Sequence, residues 1–142
     1  MHLRMMFFMR EFYYMRNSYN DAMSWIKNGD EDLHSAKILI DNNGSLRNIG
    51  FHCQQATEKY LKAFLEFNEI RFPRTHELSN LYSICFEIDS SIDIDLNFLS
   101  NFTEYAVDIR YSKNPDIDEK SLYTGYNYVQ AIRSKILSKI KE

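Results

Sequence analysis

The chain has 142 residues, the length of one domain that can bury a substantial hydrophobic core. Only 4 glycines and 2 prolines accompany 10 phenylalanines and 10 tyrosines, so helix breakers are scarce and long helices are favoured over many short strands. The formal net charge of −3 excludes a general electrostatic attraction to nucleic acid, and any RNA contact therefore requires a local basic patch.

Residues 1–18 are interpreted as a leader that precedes a single domain over residues 19–142. The longest unbroken apolar run of the leader, Met5 to Met9, is far shorter than the ~20 residues that cross a bilayer, and no signal-peptide cleavage pattern follows it. Two interpretations stay open for the leader. It is either a loosely ordered segment or one that results from a start codon assigned too far upstream, or it is an extra helical turn that packs on a partner subunit. We expect a cytoplasmic protein with no membrane segment.

Four breaks divide the chain into five segments with helical periodicity. The breaks are NNGS at 42–45, FPRTH at 72–76, DSS at 89–91 and SKNPD at 112–116. Short connections between long amphipathic helices favour an all-α, up-down antiparallel bundle of about five helices with a four-helix core. The predicted helices are Asp21–Asn42, Ser45–Asn68, Glu77–Ile88, Asp95–Tyr111, and a last one from Asp118 or Glu119 to Ile140.

Gly29 lies on the apolar face of the first predicted helix, where glycine costs about 1 kcal/mol relative to alanine. Close approach of a neighbouring helix is a physical reason for a glycine there. In the second and third helices, Ser45 and Thr75 are candidate N-caps. The two cysteines, Cys53 and Cys85, form no disulfide framework and are predicted to be buried thiols in a reducing cytoplasm.

The second predicted helix has two apolar stripes. One can fill the bundle core and contains Cys53, Ala56, Tyr60, Ala63 and Phe67. The other contains Leu61 and Leu65, and Gln54 with Glu58 continue it toward the N-terminus. Such a second stripe typically meets another helix, a subunit or a pocket. Gln54 and Glu58 are therefore either solvated, with a Glu58–Lys62 ion pair of about 0.2–0.5 kcal/mol, or the wall of a site.

Metal and phosphate-loop chemistry have little support in the sequence. His52 and Cys53 are adjacent and point about 100° apart on a helix, so they do not easily share a tetrahedral ion, and no metal site is predicted. The glycines are not clustered as in a phosphate-binding loop. Most aromatic residues have helical spacing typical of a core, but Tyr111 follows Arg110 at the start of a polar loop.

A local basic patch is possible if the end of the fourth helix lies beside the second helix and the 72–76 bend. Such a patch suits a phosphate-bearing ligand. The alternative is that these cations are scattered solubilising charges. The residues concerned are Lys59, Lys62, Arg71, Arg74, Arg110 and Lys113.

Four motifs occur in a recognisable order: Trp25 with Asp32, Leu33 and Ala36; CQQATEKYLKAFLE at 53–66; RTHEL at 74–78; and DIRYS at 108–112. Together they resemble the HEPN domain family. The resemblance implies a helical bundle that often dimerises through a face presenting polar motif residues. It also implies a role in nucleotide or RNA chemistry, often beside a small nucleotidyltransferase encoded nearby, and no cofactor is expected.

Matched residue by residue, the resemblance places motif positions on the second helix, the bend and the fourth helix. The helix-two positions are Gln55, Ala56, Glu58, Lys59, Lys62 and Ala63; the bend positions are His76 and Leu78; the fourth-helix positions are Arg110 and Tyr111. The candidate ligand-binding residues are Gln54, Gln55, Glu58, Lys59, Lys62, Arg74 and Tyr111.

The chain departs from the ribonuclease members of the HEPN superfamily, which carry an Arg, four to six residues and a His near the end of the fourth helix. After Arg110 the sequence reads YSKNPDIDEK and has no histidine, whereas Arg71 and His76 have the same spacing within the bend. Metal-independent RNA cleavage needs an acid or base and a cation near the phosphorane, so His76 and Arg110 are the candidate catalytic pair.

Three functional hypotheses follow. The first is a dimeric module that binds nucleotide or RNA phosphates. The second is a protein-recognising partner of a nucleotidyltransferase in a toxin–antitoxin-like pair, motivated by Leu61 and Leu65. The third is a metal-independent endoribonuclease toxin that uses His76 and Arg110 across a dimer cleft.

Overall fold

A computed structural model describes residues 2–101 and 119–141, with side chains described from residue 17 onward. The described residues contain helices and no strand, which confirms the predicted all-α bundle of five helices. The first helix begins well before the predicted Asp21. The helices are α1 (His2–Asp41), α2 (Leu46–Phe67), α3 (Leu78–Ile88), α4 (beginning at residue 96 and described to 101) and α5 (Glu119–Leu137).

The α1–α2 connection is a tight helical hairpin. Asn43 adopts a positive φ of 54°, and the Gly44 N–H donates to the Leu39 carbonyl oxygen at 2.6 Å, which ends α1. The Ser45 hydroxyl accepts a hydrogen bond from the Asn48 N–H at 3.4 Å, so Ser45 is the N-cap of α2 as predicted. The hairpin packs α1 antiparallel along α2, and α2 also contacts α3 and α5.

Both apolar stripes of α2 are buried within this chain. Tyr60 of the first stripe and Leu61 and Leu65 of the second have no exposed surface. α3 packs on α2, and the Cys85 Sγ lies 3.7 Å from the Leu61 carbonyl oxygen. The second stripe therefore meets another helix of the same chain. The hypothesis that Leu61 and Leu65 form a surface for a partner protein is wrong, because a side chain without exposed area offers no such surface.

The two cysteines are free and buried, as predicted. Burial disfavours the thiolate and raises the pKa of both Cys53 and Cys85 to about 12. Neither thiol is therefore a reactive nucleophile at neutral pH.

A polar tie joins α1, α2 and α5. Asp30 accepts hydrogen bonds from the Tyr60 hydroxyl at 2.7 Å and from two nitrogens of the Arg133 guanidinium at 2.6 and 3.0 Å. Burial opposes ionisation of Asp30, but the hydrogen bonds from Arg133 and Tyr60 hold its pKa below the ordinary value. The tie fixes the ring of Tyr60 inside the bundle.

Gly29 faces that ring, which confirms the close approach predicted at this glycine. A Cβ built at position 29 would lie 2.7 Å from Tyr60 Cε1 and 3.0 Å from Cδ1. Tyr60 has no exposed surface and its hydroxyl is held by Asp30, so the ring has little room to move aside.

Gly29→Ala is expected to lower the free energy of unfolding by about 1–2 kcal/mol. Overpacking of a core typically costs about 1–3 kcal/mol, and the upper part of that range, about 2–3 kcal/mol, applies because the Tyr60 ring is held in place. The better helix propensity of alanine returns about 1 kcal/mol. Urea unfolding followed by circular dichroism measures the difference. Asn28→Ala, at an exposed position one residue earlier, is the control and should change stability by less than about 0.5 kcal/mol. An equally stable Gly29→Ala protein would contradict the close contact.

None of the helices in the described part of the chain has both the length and the apolar character needed to cross a membrane.

Candidate functional site

The segment between α2 and α3 lies against the N-terminal half of α2. Within residues 71–76 of this segment, which form the bend, four side chains are exposed: Arg71, Pro73, Arg74 and His76. The Thr75 N–H donates to the Pro73 carbonyl oxygen at 2.9 Å, and the Thr75 hydroxyl accepts from the Glu77 N–H at 3.1 Å. Glu77 is the N-cap residue of α3, so the prediction that Thr75 caps this helix is wrong; its hydroxyl instead tightens the bend.

Gln54 and Glu58 are buried beneath this bend. Gln54 has no exposed surface and Glu58 has 3%. The Gln54 Nε2 donates to the His76 carbonyl oxygen at 3.2 Å and to Glu58 Oε2 at 3.4 Å. The interpretation of both side chains as solvated is therefore wrong, because the bend covers them. The predicted Glu58–Lys62 pair does form, with Nζ 2.7 Å from Oε1, but Glu58 is buried in it.

His76 completes this network from the solvent side. Its Nδ1 lies 3.2 Å from both carboxylate oxygens of Glu58, while the side chain is 67% exposed. A carboxylate can only accept, so in the neutral ring Nδ1 carries the proton and Nε2 has a free lone pair. Glu58 thus holds the ring in one tautomer with a lone pair on Nε2, an arrangement suited to general-base chemistry.

The Lys62 ammonium is enclosed on several sides. Besides Glu58, it lies 5.5 Å from the ring centroid of Trp25 and 5.6 Å from that of Phe72, and its side chain is only 14% exposed. The two rings meet edge to face with centroids 6.2 Å apart. The ammonium group of Lys62, itself on α2, therefore contacts a residue of α1, a residue of the bend and a carboxylate of α2.

Two further predicted site residues of α2, Gln55 and Lys59, have partners in different places. The Gln55 Nε2 donates to Gln54 Oε1 at 2.8 Å, so Gln55 extends the network under the bend. Lys59 turns toward α1, where its Nζ lies 2.5 Å from Asp32, which also contacts His52 Nδ1 at 2.9 Å. The sequence interpretation missed this Asp32–His52 pair, although Asp32 belongs to the first-helix motif.

Those predicted residues that the structure describes thus form one group around the bend and a smaller one beside it. Gln54, Gln55, Glu58, Lys62 and His76 lie together, and Arg74 is exposed on the same bend. Arg110, Tyr111 and Lys113 lie outside the described residues. The contribution of Trp25 and Phe72 was not predicted, because at helical spacing Trp25 looks like a core residue.

Other features of the described residues do not coincide with this site. No group of three or more His, Cys, Asp or Glu side chains there could hold a metal ion. A cleft of about 390 Å³ lies between α1 and α5, and none of the predicted site residues within residues 17–101 lines it. Its walls include Asp30, His34, Lys37, Tyr126 and Arg133.

A family model described as the HEPN domain matches residues 22–140, which is most of the chain. No curated protein and no solved structure matches the chain.

Proposed function

The chain belongs to the HEPN domain family, and from that premise we propose that it binds RNA phosphates on the surface formed by α2 and residues 71–76. Membership of this family indicates an RNA-associated or nuclease-like role. The observation that supports the proposal most is the Gln54–Glu58–Lys62 network, which contacts an exposed histidine on a bend that also carries two exposed arginines.

Two exposed arginines make this surface suitable for an anionic ligand. The carboxylate of Glu58 is neutralised by Lys62 at 2.7 Å and lies beneath the bend. Arg71 and Arg74 are exposed, and within the described part of the chain no hydrogen bond or ion pair engages their guanidinium groups. Guanidinium groups bind phosphate oxygens in a bidentate manner. A protein with a net charge of −3 thus presents two exposed guanidinium groups on one bend, flanked by the exposed carboxylates of Glu69 and Glu77.

The double variant Arg71→Ala/Arg74→Ala is expected to bind a labelled single-stranded RNA at least about tenfold more weakly. The logarithm of the RNA association constant falls linearly with the logarithm of the salt concentration, and each single-strand phosphate contact contributes about 0.7 to the steepness of that line. If each arginine contacts one phosphate, the line for the double variant should be less steep by about 1.4. Fluorescence anisotropy at several salt concentrations measures both quantities.

The charge-matched control is Lys27→Ala/Lys141→Ala, because both lysines are exposed and neither belongs to the bend. Lys27 follows Trp25 by two residues and therefore points about 200° away on α1. Equal weakening in both double variants would indicate only a loss of net charge. If the parent protein shows no saturable binding of RNA, the proposal is wrong.

Ribonuclease activity is the second candidate function, and the Glu58–His76 pair favours it. The free Nε2 of His76 would take the proton of a ribose 2′-hydroxyl, and the resulting oxygen would attack the adjacent phosphorus. The bond from phosphorus to the 5′-oxygen then breaks, the 5′-oxygen takes a proton from water, and a 2′,3′-cyclic phosphate remains. An arginine would stabilise the charge of the phosphorane. Arg71 and Arg74 are candidates on the bend, as is Arg110.

The proposal includes two protein partners. A second copy of the chain could complete the site, as dimerisation is common in this family, and a small nucleotidyltransferase could accompany it in a toxin–antitoxin pair. Inspecting the adjacent reading frame and purifying the two products together would test the second partner. An isolated gene with no co-purifying protein would count against it.

A further inference from the structure

Two aromatic side chains adjoin the Glu58–His76 network, and both pack against the hydrophobic core while keeping part of their surface exposed. Trp25 of α1 and Phe72 of the bend are each half-buried, and their rings meet edge to face with centroids 6.2 Å apart. They reach the network through Lys62, which lies over both rings and bonds to Glu58. Glu58 in turn contacts His76. The rings, the ammonium and the histidine therefore belong to one connected cluster.

The order of residues on the bend places aromatic and cationic groups side by side. Phe72 lies between Arg71 and Arg74, both of which are exposed, and Pro73 restricts the backbone between them. Proteins that bind single-stranded nucleic acid combine cations along the backbone with aromatic rings on which bases stack. An unpaired nucleotide whose phosphate meets these arginines would bring its base to Phe72 and Trp25.

We propose that Trp25 and Phe72 form a subsite for an unpaired nucleobase, so that the protein prefers single-stranded over double-stranded RNA. The preference follows because bases in a duplex are stacked on each other and do not offer their faces to a side chain. Lys62 fixes the two rings relative to the bend through its contacts with both. This inference rests on the proposed RNA binding and identifies which form of RNA the site takes.

The chain contains a single tryptophan, so its intrinsic fluorescence reports on this subsite alone. The probes are a fluorescein-labelled single-stranded RNA of about eight nucleotides, the corresponding duplex, and the single strand with abasic positions. We expect the single strand to quench Trp25 fluorescence saturably, at the same concentrations that raise the anisotropy of the label. The duplex and the abasic strand should leave the tryptophan emission nearly unchanged.

Two variants test the rings directly. Trp25→Leu and Phe72→Leu should each weaken binding of the normal single strand by about tenfold, in line with base stacking on an aromatic side chain. Neither should weaken binding of the abasic strand. Phe86→Leu is the control, since Phe86 is an exposed phenylalanine of α3 with 45% of its surface accessible. If Trp25→Leu does not fold, Phe72→Leu and the fluorescence of the parent protein still decide the question.

The outcomes separate the subsite from the proposed function. Anisotropy that shows RNA binding, with no change in Trp25 emission and no effect of Phe72→Leu, would overturn the subsite and leave phosphate binding intact. A duplex that binds as tightly as the single strand would also overturn it. Absence of any RNA binding by the parent protein would overturn both.

Discussion

Replacing Glu58 by alanine is expected to lower the free energy of unfolding by about 3 kcal/mol. Removal of one partner from a buried ion pair leaves the other charge uncompensated and typically costs about 3–5 kcal/mol. The lower end applies here, because Lys62 keeps 14% of its side chain exposed and can partly reach water. Gln54 and His76 lose a hydrogen-bond partner in the same variant. Chemical denaturation at pH 7 measures the change.

Glu66→Ala is the matched control, since Glu66 lies two turns further along α2 and is only half-buried. It should change stability by less than about 0.5 kcal/mol. The double variant Glu58→Ala/Lys62→Met should be more stable than Glu58→Ala alone, because the unpaired charge is also removed. A Glu58→Ala protein as stable as the parent would contradict a buried network beneath the bend.

Replacing His76 by alanine is expected to lower the rate of RNA cleavage by roughly 10²–10⁴-fold, if the protein is a ribonuclease. The expected loss is large because the Nε2 of His76 is the only base in the proposed step. With 67% of the side chain exposed, the substitution should leave the fold intact, which circular dichroism can check. Cleavage of a labelled single-stranded RNA is measured with EDTA present, and expression in a bacterial host tests for growth arrest.

His34→Ala is the control for this experiment, since His34 is an exposed histidine of α1 on the cleft shared with α5. It should cleave RNA at the parent rate. Glu58→Gln should reduce the rate as well, because an amide no longer holds His76 in one tautomer as the carboxylate does. If the parent protein does not cleave RNA, or if His76→Ala cleaves it at an unchanged rate, phosphate binding without catalysis remains.

Under the proposed function, the residues of the network beneath the bend have both a structural and a functional role. Glu58 and Lys62 stabilise the packing of the bend on α2, and through Glu58 they orient the ring of His76. A variant of either residue is therefore expected to change stability and, under the proposed function, RNA binding or cleavage as well. Arg71 and Arg74 are exposed and do not belong to the buried network, so replacing them tests RNA binding with little effect on folding.

Much of the fold could be predicted from the sequence, because helical periodicity and chain breaks are local properties. The spacing of apolar residues and the breaks at NNGS, FPRTH and DSS predicted the helices, and Ser45 was recognised as a cap from its side chain alone. Gly29 could be identified as a point of close approach, since a glycine on an apolar helix face is otherwise unfavourable. The ordered motifs led to the family that the comparison confirms.

What packs against each helix face was decided only by the tertiary structure. Periodicity groups Gln54 and Glu58 with Leu61 and Leu65, but it does not say that α3 and a non-helical bend cover that stripe. Burial of a carboxylate depends on partners distant in sequence, such as His76, 18 residues further along.

The antiparallel α1–α2 hairpin decided the remaining contacts. It brings Trp25 to Lys62 and Asp32 to Lys59, so two lysines of one helix motif have different partners and different environments. The sequence alone determined which residues share a helix face, because that follows from 3.6 residues per turn. Which of those faces became core and which became a candidate RNA site was settled by chain segments that only folding brings together.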